Sequence, residues 1–148
     1  MTRSRRLYRI AGHVGQDQEA AARELGRLRA HLQAQEQQLE QLREYCLNYH
    51  ERLAEAQARG GTAASLANYS LFLGRLNEAI GQQEQSVAAA NRAFEAQRQV
   101  WIQARARVQA VEKAAERCAE DETRTEEKRE QRQNDDLSLA RLLRGKIS

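Results

Sequence analysis

Apolar residues recur along the first third of the chain in alternating steps of three and four. The seam runs Leu7, Ala11, Val14, Gln18, Ala21, Leu25, Leu28, Leu32, Gln35, Leu39, Leu42, Cys46, Tyr49, Leu53 and Ala56. With Leu25 at an a position and Leu28 at d, the register holds without a stutter, which predicts a helix of left-handed coiled-coil type. The chain then reads Arg59-Gly60-Gly61-Thr62. Paired glycines end a helix, and Thr62 or Ser65 can cap the next. A second seam follows through Leu66, Tyr69, Leu73, Leu76, Ile80, Gln83, Val87, Ala90, Phe94, Gln97, Trp101, Ala104, Val108, Val111, Ala115 and Cys118.

Two seams of nearly equal length flank one tight turn. Neither can bury its stripe alone, so the chain is expected to be all-α: two long helices in an antiparallel coiled-coil hairpin over residues 1–118, turning near 59–62. Facing residues then carry numbers that total about 121 in this antiparallel register. Size matching agrees, because Trp101 falls opposite Ala20 and Ala21, the bulkiest residue against the smallest. Each arm is roughly 75 Å long at the helical rise.

Residues 119–148 have no such partner. AEDETRTEEKREQRQNDD is almost wholly polar, and an unpaired polar helix gains nothing from burial, so it frays or folds on a partner. LSLARLLRGKIS then restores Leu137, Leu139, Leu142, Leu143 and Ile147, as an amphipathic docking element or a frayed tail.

Composition supports long helices over a thick-cored globule. Proline is absent, aromatics are 5% and charged residues 30%, the profile of coiled coils. A net charge of +3 with a pI of about 9.1 is spread along the chain, unlike the one-sided basic patch of a nucleic-acid-binding domain. RNA binding through the arginines would fall steeply with salt, and the interspersed acids argue against it. No apolar run approaches the roughly 20 residues that span a bilayer. MTRSRRLYRI is basic but lacks the apolar core of a secretory signal, so a cytoplasmic location is expected.

Catalytic chemistry is missing from the pattern. His13, His31 and His50 lie too far apart along one arm to share a metal, so no metal or cofactor is expected. Cys46 and Cys118 hold seam positions as small apolar residues, roughly 65 Å apart by helical rise, beyond disulfide reach. A two-helix structure offers no concave pocket in which nucleophile and base could converge, and the chain is expected not to be an enzyme.

The two flanks of the seam differ. The e flank, with residues such as Arg29, Glu36, Arg43, Asn77, Glu84 and Arg98, reads as a solvated edge. The g flank near the turn carries Gln38 and Tyr45 on one arm and Phe72 and Ala79 on the other, beside the d residues Leu42, Tyr49 and Leu76. Leu42 with Ala79, Tyr45 with Leu76, Tyr49 with Phe72 and Gln38 with Gln83 follow the same pairing, so a ladder forms across one face. Leu42, Tyr49 and Leu76 also suit the core. Tyr45 and Phe72 do not, since flank positions usually carry charge, and contiguous exposed aromatic surface marks a binding site. The opposite end, with Arg3, Arg5, Arg6 and Arg9 beside the mixed-charge overhang, is either a solvated end or a second contact surface.

The chain resembles the flagellar type III export protein FliJ family over nearly all its length. The resemblance rests on length, two uninterrupted helices, the ladder Gln38, Leu42, Tyr45, Tyr49, Phe72, Leu76 and Ala79, and the late run Glu126-Glu127-Lys128-Arg129-Glu130-Gln131-Arg132 with Asp135-Asp136 and a leucine-containing tail. Gln83 is a departure, where that patch often has histidine. The resemblance implies a part like the central stalk of rotary ATPases. Arg3, Arg5, Arg6 and Arg9 with Glu126, Glu127, Arg129, Glu130 and Arg132 would face a hexameric export ATPase ring. The ladder would face the cytoplasmic domain of the membrane export gate protein, and export chaperones would be handed on. The chain would then be monomeric when free and peripheral to the inner membrane through protein partners only. Two alternatives stand beside this: the equivalent stalk of a virulence-type secretion system, and a structural coiled coil that self-associates as a parallel dimer, bringing Cys46 beside Cys46.

Overall fold

The computed structural model describes residues 2–147, with Ile147 described by its backbone alone. Helix α1 spans Arg3–Ala58 and helix α2 spans Ala63–Ile147. They pack against each other as an all-α hairpin, with no strand among the described residues.

Burial follows the heptads. Every seam position from Leu7 to Ala56 is buried or half-buried, and so is every one from Leu66 to Cys118. The core is thin. Its buried apolar residues are Ala21, Leu39, Leu73, Leu76, Ala90, Ala104, Val108 and Ala115, half of them alanine. Small residues at seam positions let two helices approach closely, so stability is spread along many modest contacts.

Local chemistry makes the turn. Gly60 adopts a left-handed φ of 70°, a conformation that a Cβ makes costly. The Gly61 N–H donates to the Ala56 carbonyl at 2.9 Å and the Gly60 N–H to the Gln57 carbonyl at 3.2 Å. These two bonds are the Schellman pattern, which satisfies the last carbonyls of α1. Gly61 is needed for a second reason, because a Cβ there would lie 3.0 Å from the Ala56 carbonyl oxygen. Of the two candidate caps for α2, Thr62 takes the position: its Oγ1 accepts the Ser65 N–H at 3.2 Å and its carbonyl the Leu66 N–H at 3.0 Å.

The chain divides into two compact units. One, Glu19–Ile102, contains the turn. Inside it the seam carries polar layers: the Gln83 side-chain amide donates to both the main-chain carbonyl and Oε1 of Gln35, each at 2.9 Å. Gln97 donates to the Ala21 carbonyl at 3.3 Å. Trp101, one turn further on, is half-buried.

The other unit joins the start of α1, through Gln18, to the part of α2 from Gln103 onward. Its core includes Ala104, Val108 and Ala115. Helix contact here continues one turn past Cys118, to Glu122, which binds Ser4. Beyond Glu122 every described side chain is exposed, yet the backbone stays helical to Ile147. The polar segment is thus helical along its length. Strong helix formers dominate it, Arg124 pairs with Asp121 at 2.9 Å, and Arg144 and Lys146 occupy the last turn, where cations oppose the helix dipole.

Candidate partner-binding surfaces

In the unit that holds the turn, aromatic residues of both helices gather. Tyr49 comes from a d position of α1, and Tyr69 and Phe72 stand three residues apart on α2, on adjacent helical rows. The Tyr49 and Phe72 rings lie 4.2 Å apart at 35°, and the Tyr49 and Tyr69 rings 6.3 Å apart at 57°. The Arg52 guanidinium sits 5.3 Å from the centre of the Tyr49 ring, a cation–π distance. Ser65, Asn68, Tyr49, Tyr69 and Phe72 line a shallow open depression.

The ladder residues divide by exposure. Leu76 is buried, and Leu42, Tyr49, Ala79 and Gln83 are half-buried. Tyr45 is 59% exposed and Phe72 39% exposed. Gln38 is exposed. Gln83 turns its amide to Gln35 rather than to Gln38, because Gln35 occupies the seam and Gln38 the flank. Leu47 and Leu71, at 63% and 58%, add exposed apolar surface in the same unit; both lie off the seam and the g flank, so the ladder pattern passes over them. Tyr69 was legible only as a core residue, although its ring completes the aromatic cluster. On the e flank, Arg43 pairs with Glu84 at 3.6 Å, both about half exposed. Exposed pairs of this kind contribute little. Near the seam the Cys46 thiol donates to Asn77 Oδ1 at 3.7 Å.

The second surface belongs to the other unit. Arg3, Arg5, Arg6 and Arg9 are all exposed. Between them, Ser4 is buried at 7% exposure. Its N–H donates to Glu122 Oε1 at 3.1 Å and its hydroxyl to Oε2 at 2.6 Å. Glu122 of α2 thus caps the start of α1, while Thr2 Oγ1 accepts the Arg5 N–H at 3.3 Å. Hydroxyl and backbone donation from Ser4 hold the Glu122 carboxyl below its usual range, as expected for an anion at a helix N-terminus. Burial, then the adjacent Glu122 carboxylate, push the Cys118 thiol up, so it stays protonated. Sequence reasoning missed Ser4 and Glu122. The signal was a Ser between arginines at the helix start, with a Glu four residues beyond the last seam cysteine.

Glu126, Glu127, Arg129, Glu130 and Arg132 are exposed on α2. The arrangement therefore offers an aromatic surface in one unit and a charged surface in the other. Among the described residues there is no cluster of three His, Cys, Asp or Glu placed to hold a metal ion. Among the described residues no helix is long and apolar enough to cross a membrane.

A family model described as "Flagellar FliJ protein" matches residues 3–146. No curated protein and no solved structure matches the chain.

Proposed function

Because the chain belongs to the flagellar FliJ protein family, a non-enzymatic component of flagellar export, we propose that it is a coupling protein of the export apparatus. In this reading it binds a hexameric export ATPase ring with its chain ends and the cytoplasmic domain of the membrane export gate with the aromatic surface near its turn. Hydrolysis belongs to the ATPase partner. Export chaperones are handed on along the way.

The observation that carries the gate contact is the exposure of Tyr45 and Phe72 beside an ordered ring cluster. Flank positions of a two-helix coil gain little from aromatic residues unless something covers them. For the other end, support comes from charge: four exposed arginines at the start of α1 and the exposed run Glu126, Glu127, Arg129, Glu130 and Arg132 of α2. Such surfaces steer and orient a charged partner more than they add raw affinity.

The gate contact is tested by a pull-down of the purified chain with the gate's cytoplasmic domain, comparing the parent with a Tyr45→Ala, Phe72→Ala double variant. Loss of binding at unchanged helicity and unchanged monomer size supports the reading; undiminished binding removes the gate from this surface. For the ATPase contact, truncation after Glu122 should weaken stimulation of the ATPase while the hairpin survives, and full stimulation by the truncated chain would remove the role of the overhang.

A further inference from the structure

The last turns of α2, part of the chain end assigned above to the ATPase ring, carry a feature that the charged run 126–132 does not explain. Leu137, Leu139, Leu142 and Leu143 are 59%, 57%, 66% and 53% exposed, and the segment is helical. At 100° per residue, Leu139, Leu142 and Leu143 fall on one side of the helix, below Asp135 and Asp136 of the preceding turn, while Arg141 and Arg144 fall on the other side with Leu137 between them. Lys146 falls within the leucine stripe, one turn beyond Leu142 and Leu143. No acid occurs after Asp136, so this stretch is purely cationic in a chain whose charges are otherwise mixed.

We propose that residues 137–146 form an interfacial helix that lies on an anionic lipid surface, a direct membrane contact additional to any protein partner. The pattern fits this occupant better than a protein groove. A bilayer interface supplies an apolar phase for a leucine stripe without demanding shape, and negative charge for Arg141, Arg144 and Lys146, the only charged residues after Asp136. Lys146 can extend along its stem to keep its ammonium among the headgroups while the leucines insert. The segment is far too polar and too short to span, and no helix of the described residues is long and apolar enough to do so. It therefore lies on the surface rather than crossing it. A single short stripe gives weak, reversible attachment.

Flotation of the full chain with phosphatidylcholine vesicles, with and without an equal share of phosphatidylglycerol, tests this. The chain is expected to float with the anionic vesicles, to stay largely behind with the neutral ones, and to detach as sodium chloride is raised. A Leu142→Gln, Leu143→Gln variant should lose at least about tenfold in vesicle affinity, since the transfer of two leucine side chains is removed, at unchanged far-ultraviolet circular dichroism. An Arg141→Gln, Lys146→Gln variant should lose its preference for anionic over neutral vesicles. Failure of the parent chain to float with anionic vesicles overturns the proposal. So does equal flotation of the leucine variant, which would place the lipid contact at the arginines of α1. So does a leucine variant that keeps lipid binding but loses ATPase binding, which would make the stripe a protein contact.

Discussion

The Glu122 carboxylate takes both the amide N–H and the hydroxyl of Ser4, at 3.1 and 2.6 Å. One helix thereby caps the other, and the first turn of α1, with its exposed arginines, is tied to α2. Glu122→Gln should lower the melting temperature at neutral pH. The sign follows from the depressed acidity of this carboxyl: its contribution is fully present above the ordinary carboxylate range and is lost as pH falls through the folded-state value. Thermal melts of parent and variant should therefore draw together only in acid, as pH falls below the ordinary carboxylate range. A difference that persists in acid would mean the carboxylate charge is not the source.

Gly60 supplies a left-handed φ and Gly61 a missing Cβ. Gly60→Ala should destabilise the hairpin by about 1–2 kcal/mol, and Gly60→Asn by less, because asparagine tolerates this region better. Urea unfolding of the three proteins gives the order. If alanine and asparagine cost the same, conformational strain at Gly60 is not limiting.

Leu71 and Leu73 stand two residues apart and test the heptads directly. Leu73 is 6% exposed and Leu71 58% exposed. Leu73→Ala should cost about 2–4 kcal/mol, toward the low end where neighbours can close in, while Leu71→Ala should stay within about 0.5 kcal/mol. Equilibrium denaturation reads both, and comparable losses would disprove the register.

Tyr45 and Tyr49 should separate binding from folding. Tyr49 stacks on Phe72 at 4.2 Å, so Tyr49→Ala should lower stability by about 2 kcal/mol or more. Tyr45→Ala, at a largely exposed position, should leave stability near that of the parent while weakening partner binding. A Tyr45→Ala protein that unfolds early would show this ring to be part of the core.

The Gln83–Gln35 layer is a polar break in an apolar seam. Leu at both positions should raise the unfolding midpoint, because burial replaces a satisfied but polar pair. It should also loosen the antiparallel pairing, as polar seam residues specify register. Ultracentrifugation checks the second point: the double variant should show dimer where the parent shows monomer.

How much of this was legible beforehand differs by residue. Leu39, Leu73 and Leu76 announced their burial through heptad spacing alone, since a period of 3.5 leaves one stripe per helix to cover. Gly60, Gly61 and Thr62 announced the turn because their backbone chemistry is local. Tyr69 was legible as core but not as a ring in a shared cluster. Ser4 and Glu122 left only a faint local trace, a serine between arginines and a glutamate one turn past the last seam cysteine, because spacing does not say that a carboxylate more than a hundred residues away along the chain reaches a helix start.

The sequence by itself determined two helices, one turn and the stripe that joins them, because periodicity and capping depend on near neighbours along the chain. Only the tertiary structure decided which polar side chains meet across the seam: Gln83 with Gln35 rather than Gln38, Glu122 with Ser4, Tyr49 between two rings of α2. Those choices depend on helix rotation and axial stagger, which many small contacts fix together and no single residue encodes.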